Sequence, residues 1–357
     1  MGTYPELPSL VLETGEDLQQ LINKHPEELI GKNVLQKFGH SDLPFLPKVL
    51  SIAKALPLQL HPNKELAAEL HRKDPQNFTD PNHKPEIALA LGPFEAFCGF
   101  KPLETVDKLM QLEPLQQFLP EVKKPSFDDQ TLKEVVRKML KADEQTVKDV
   151  EGKLAKLPKD AFGSDTYILD LLPRLQEQYT EKDPGTLVAL ITMNFLQLDA
   201  GDSIYIPADG IHAYLSGDII ECMARSNNVL NTGFCPAADR NSVDLFCSCL
   251  TFVPHNPKEA ILPSKPFDRC SNGKTKLYAP PMSEFNMLST ELQSGESDKI
   301  EKLDGPSIVV CTSGEGKLKA DGKSADLKEG YVFFIGQGVE VEYQADKGLQ
   351  VFQAYVE

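Results

Sequence analysis

Two stretches of this chain share one frame. LDAGDSIYI at 198–206 and LKEGYVFFI at 327–335 both read L-x-x-G-x-x-x-x-I, a turn glycine followed by a short apolar strand. A frame that recurs implies two related all-β units. The first copy lies within NFLQLDAGDSIYIPADGIHAYLSGDIIECMARS (194–226), where short strands alternate with Gly-Asp turns.

Many short strands at this spacing point to jelly-roll barrels, and GDSIYIP followed by a histidine is the cupin manner of mounting a metal ligand on a strand. The second copy has no histidine at the matching place and reads as structural. Upstream, Leu46 to Leu60 is apolar and strand-like, Lys64 to Arg72 turns helical, and a proline-punctuated loop (74–85) leads to an apolar run opened by Glu86. From about Leu103 to Met193 the pattern is largely helical, with Asp128 and Asp165 where N-caps are expected. The expected fold is therefore mainly β with an α insert: two cupin (jelly-roll) domains plus a helical domain. The expected boundaries are 1–102 with 194–255 for a metal-bearing cupin, 103–193 for the insert and 256–357 for the C-terminal cupin. A chain of 357 residues has room for this division, because single cores rarely grow beyond roughly 250–300 residues.

Charge narrows the function classes. Lys+Arg at 37 against Asp+Glu at 53 leaves a formal charge of −16, a field that repels phosphate backbones and acidic bilayer surfaces. Neither a nucleic-acid nor a membrane partner is expected, and no apolar run approaches the roughly 20 residues of a membrane helix. Seven cysteines, an odd number without a CxxC pair, fit a reduced cytoplasmic protein. Cys247 and Cys249 form a lone CxC, read as core packing on an apolar strand.

The stretch PLQLHPNK (57–64) alternates Leu58 and Leu60 with Gln59 and His61. On a strand the leucines face one way, and the amide and imidazole project together the other way. With Glu86 and with His212 after the PADG turn, they offer two imidazoles, a carboxylate and an amide oxygen. That donor set suits Zn²⁺, and also Fe²⁺ or Mn²⁺, at a site with an open position. A single histidine in such text is by default a hydrogen-bonded core or surface residue, so spacing alone leaves both readings open.

PLQLHPNKELAAELH, DPNHKPEIALAL, FCGFKPL, PADGIHAYLSGDIIECMA and YAPPMSEF together closely resemble the type I mannose-6-phosphate isomerases. The resemblance implies one divalent ion, zinc first, held by Gln59, His61, Glu86 and His212. It also implies interconversion of mannose 6-phosphate and fructose 6-phosphate through a cis-enediol. His83 and Lys84 match residues of the proton shuttle or of substrate contact, and further substrate contacts are expected from Lys48, Lys64, Tyr214, Glu221, Arg225, Asn227 and Asn231.

The departures surround the substrate. A serine of the family pattern is Pro57 here; an aspartate, an arginine and a lysine after E-C-M-A have become Asn227, Asn231 and Ala237. An amide in place of a guanidinium loses charge assistance to a phosphate. Alternative readings are a related enzyme acting on a less anionic substrate, or a metal-binding paralogue without catalysis. The chain also starts in the middle of the family's W-M-G-T-H-P and contains no tryptophan, so an opening strand is expected to be missing.

Overall fold

The computed structural model describes residues 1–121, 126–180 and 182–357. Its first barrel is organised by one long strand, His212–Ala224, which belongs to two sheets. The N-terminal half pairs with Phe94–Phe100 and meets Gln59 of Leu58–Leu60; the C-terminal half runs between Phe45–Ile52 and Glu86–Ala90.

Alternation along these strands sorts the side chains into three environments. Ala88, Ala90, Ala96, Cys98, Tyr214 and Ile219 fill the barrel interior. Ile87, Leu89, Ile220 and Cys222 face outward into a core shared with Phe285, Met287, Ile308 and Phe352 of the second barrel. Leu58, Leu60, Phe97, Ala213 and Leu215 face outward from the other sheet into the helical core. Both outer faces are thus covered, and the leucines of PLQLHPNK take the side expected of them, opposite Gln59 and His61.

The second barrel repeats the plan around Ser307–Ala320 and Val341–Tyr355. The shared frame corresponds to the same local structure twice: Gly201 and Gly330 take φ of 90° and 83°, and strands Ser203–Ile206 and Val332–Ile335 follow. Only glycine adopts such backbone without strain. Where the first barrel starts its long strand with His212, the second starts with Val341, buried in an interior closed by Leu318, Leu327, Tyr343 and Leu349.

Helices Leu103–Met110, Asp129–Leu140, Glu144–Leu154, Ile168–Gln178 and Pro184–Thr192 form the insert. Asp128 caps its helix as expected, accepting from the Thr131 amide at 2.7 Å. Asp165 does not cap; it lies 2.9 Å from the buried Lys101 ammonium, which also donates to the Leu190 carbonyl. This ion pair ties the insert to the first barrel. Every residue of Pro184–Thr192 is buried, so it shows no polar face and no helical period in the sequence. It packs so closely on strand Leu230–Gly233 that a Cβ on Gly233 would sit 2.6 Å from the Gly185 Cα.

Cys247 and Cys249 lie on a helix, Val243–Cys249, and not on a strand, but the packing reading holds: both are buried in the helical core. Three short helices between Leu18 and Phe38 pack through Leu18, Ile22, Ile30 and Val34 into the core between the barrels. Among the described residues no helix is long and apolar enough to cross a membrane.

Candidate metal centre

Strand register brings three ligand types together at one mouth of the first barrel. Gln59 stands opposite His212, and Cys98 flanks His212 on the other side. Glu86 opens its strand opposite Met223, two residues from Glu221 on the same inward face. His61 follows directly on Leu58–Leu60. One donor atom each from His61, Glu86 and His212 lies within 4.8 Å of the others, and all three residues are buried.

The two imidazoles are oriented alike. His61 Nδ1 lies 2.8 Å from the Asn228 carbonyl, and His212 Nδ1 lies 2.9 Å from the Gly210 carbonyl. A carbonyl only accepts, so each Nδ1 carries the proton and each Nε2 presents a lone pair. Those Nε2 atoms are buried without a hydrogen-bond partner, and they lie 3.2 and 3.7 Å from the two oxygens of Glu86. Lone pairs and a carboxylate facing one another in a dry interior repel, and a buried polar atom left without a partner is costly. A cation among them turns that repulsion into ligation, and backbone carbonyls on the far nitrogens are the usual outer support of metal-binding histidines. The donors present therefore fit a divalent metal.

Burial pushes both histidines toward the neutral form that a metal requires: His61 is lowered by desolvation and by the Lys84 charge, and His212 is pushed down to about 4 by desolvation. Burial is the largest single influence and opposes ionisation of Glu86, but the Lys84 ammonium at 3.4 Å, together with His61 and His212, outweighs it and holds Glu86 well below the usual carboxylate range. The Tyr214 hydroxyl donates to the second Glu86 oxygen at 3.3 Å, and burial keeps that phenol protonated.

A second charged pair shares the inward face. Lys48 and Glu221 are cross-strand partners with Nζ and Oε2 2.7 Å apart. Burial and then the nearby Glu86 charge push Glu221 up, with Lys48 opposing; burial would lower Lys48, but Glu221 raises it.

Of the remaining expected residues, Asn231 stays beside Gln59 and the others are dispersed. His83 Nε2 contacts Glu284 Oε1 at 2.5 Å. Lys64 is the first, exposed residue of helix Lys64–Lys73, whose cap Asn63 accepts from the Leu66 amide at 3.0 Å. Arg225 turns away to Thr3, donating to its carbonyl at 2.9 Å, and stacks over Tyr4. Asn227 is exposed, with its backbone amide donating to Asp80. Asn231 stands opposite Gln59, its backbone bridged to Asn241 and its Oδ1 buried without a partner. Arg240, 3.0 Å from Asp183, is held at the helical insert.

Three contributors carry no sequence signal. The carbonyls of Asn228 and Gly210 act through backbone, which side-chain text does not reveal. Glu284 lies in YAPPMSEF, a stretch that shows resemblance but no spacing to a partner 201 residues away.

Known proteins of one family match this chain along its length. The family profile "Phosphomannose isomerase type I, catalytic domain" matches residues 1–103, and "Phosphomannose isomerase type I C-terminal" matches 276–323. Mannose-6-phosphate isomerase of Saccharomyces cerevisiae is 37% identical over 383 residues, covering 100% of this chain and 88% of the relative. That of Schizosaccharomyces pombe is 36% identical over 376 residues, covering 100% and 89%. Among solved structures, a mutant phosphomannose isomerase from Salmonella typhimurium superposes with a TM-score of 0.84 at 24% identity, over 100% of this chain and 90% of that one. A zinc-bound mannose 6-phosphate isomerase gives 0.83 at 24% over the same shares, a likeness of fold.

Proposed function

The chain belongs to the type I phosphomannose isomerase family, and from that membership we propose that it is a metal-dependent aldose–ketose isomerase interconverting mannose 6-phosphate and fructose 6-phosphate. The observation that carries the reading is the pair of bare, buried imidazole Nε2 atoms facing Glu86. His61, Glu86 and His212 would hold the ion, zinc by preference, with the Gln59 amide oxygen as fourth donor. When bound there, zinc supplies a Lewis acid that draws electron density toward the sugar oxygens as the enediolate develops.

The chain's own groups do the rest. Isomerisation moves a proton from C2 of the aldose to C1 and another from O2 to O1, with no atom gained or lost. Glu221, buried and raised, is suited to accept the carbon-bound proton and return it. Lys48, bonded to Glu221, orients the carboxylate and compensates its charge. Lys84 balances Glu86 and offers its ammonium protons toward the sugar oxygens. Tyr214 fixes the Glu86 carboxylate from behind.

The substrate is a sugar phosphate, and its anion needs a cation. Lys48 and Lys84 are engaged with glutamates, while Arg225 and Arg240 are held elsewhere. Exposed Lys64 stands three residues after His61 and forms no salt bridge among the described residues, although its charge reaches Glu284, so it is the group we assign to meet the phosphate. A charge-assisted hydrogen bond contributes about 1.5–3 kcal/mol, so Lys64→Ala is expected to raise KM for mannose 6-phosphate by about tenfold or more with kcat little changed. Steady-state kinetics check this; an unaltered KM excludes Lys64 as the anion contact.

We take residues 1–102 with 194–255 as the metal-bearing unit, 103–193 as the insert and 256–357 as the second barrel. Seven cysteines, all free, support a reducing cytoplasmic setting.

A further inference from the structure

Glu284, just before strand Asn286–Leu292 of the second barrel, reaches His83 in the first barrel's metal-bearing segment. It is 5% exposed, and its neighbour Phe285 is anchored in the core between the barrels. One oxygen contacts His83 Nε2 at 2.5 Å; the other accepts from the Ser283 amide at 3.1 Å. An imidazole nitrogen against a carboxylate is a donor, so the ring is locked in one orientation by a group from another domain.

The stretch that follows His83 carries Lys84 and then Glu86. It is pinned on its other edge to the end of the long strand: the Ala224 amide donates to the Pro85 carbonyl, and Asn82 Nδ2 donates to the Arg225 carbonyl at 2.8 Å. Lys84 thus hangs between two fixed points, and its Nζ is brought 3.4 Å from Glu86 with only 13% of the side chain exposed. Residues 81–85 make no regular strand; the Asn82 carbonyl accepts from Ser226 and Asn228, so His83 and Lys84 are the two residues spanning the held ends, and the Glu284 contact is what fixes His83 between them.

We propose that Glu284 is a positioning residue for Lys84: by gripping His83, the second barrel, whose own interior is closed, sets the place of the Lys84 ammonium beside Glu86. His83 is then the handle of this device. The proposal deepens the isomerase reading, and its kinetic half rests on that reading.

The test uses the full-length, zinc-loaded protein with two readouts. Acylation of lysines by a water-soluble active ester, mapped by mass spectrometry, should find Lys84 protected in the wild type and several-fold more reactive in Glu284→Ala, while distant buried Lys101 stays protected in both. Glu284→Gln keeps an oxygen acceptor for the imidazole and should restore protection. In steady-state kinetics Glu284→Ala should lose about 10- to 100-fold in kcat, the scale of a misplacement near 1 Å, with KM and zinc content little changed, and Glu284→Gln should recover most of it. His83→Leu removes the same contact from the other side and should reproduce both results whether or not Glu284→Ala folds. Equal Lys84 protection in all variants overturns the proposal, as does a kcat loss without a labelling change. Should the wild type turn over no mannose 6-phosphate, the isomerase reading fails while the labelling contrast still decides for Glu284.

Discussion

Replacing His61 by alanine is expected to abolish isomerase activity together with bound zinc. His61 contributes one of two bare Nε2 atoms at the site, and its other nitrogen is committed to the Asn228 carbonyl. Removing even an outer partner of a ligand costs about 10–100-fold in metal affinity or activity; removing the ligand itself leaves Glu86 and His212 to hold the ion with Gln59. Metal content by elemental analysis and turnover of mannose 6-phosphate should fall together. The helical core and the core between the barrels lie outside this pocket, so the far-ultraviolet circular dichroism should be retained. A His61→Ala protein that keeps a full equivalent of zinc and normal turnover would show that the ion, if any, sits elsewhere.

The second large effect belongs to Glu221→Gln. A carboxamide has nearly the shape of the carboxylate but cannot take up a proton near neutrality. General-base removal typically costs about 10²–10⁴-fold, and that loss is expected in kcat with zinc content unchanged, since Glu221 is not among the three clustered donors. Exchange of the C2 hydrogen of mannose 6-phosphate with deuterated solvent should fall in parallel. Wild-type kcat in this variant would assign the carbon-bound proton to another group, Lys84 being the nearest by its contact with Glu86.

Much of this architecture was legible in the residues because periodicity reports on which face is buried. Leu58 and Leu60 against Gln59 and His61 is a period of two, and the leucines do enter the helical core. The repeated glycine frame marks the same turn-and-strand unit twice. Reading failed where burial or distance erased the pattern. The buried helix Pro184–Thr192 falls within the stretch expected to be helical, but its own bounds could not be read because it has no polar side to report its turn. The CxC at 247–249 looked like strand text because seven residues are too few to display a helical period. Asp165 looked like a cap because side-chain type alone cannot say that Lys101, 64 residues away in the chain, would claim it.

At the site the same division holds. Ligand types and their strand were visible; orientation was not, since it comes from the carbonyls of Asn228 and Gly210. Arg225, expected near substrate, instead anchors the segment at Thr3. Asn231 does lie beside Gln59, so the loss of an arginine from the family pattern falls at the site itself. Asn231 Oδ1 is buried there without a hydrogen-bond partner, and an amide carries no charge to offer an anion.

One measurement bears on all of this: zinc stoichiometry and mannose 6-phosphate turnover of the purified chain, before chelation, after it, and after zinc is returned. One equivalent per chain, activity lost with the metal and regained with it, is the predicted result. Protein that isolates without metal, takes up none, and is indifferent to added divalent ions would contradict the account at its base.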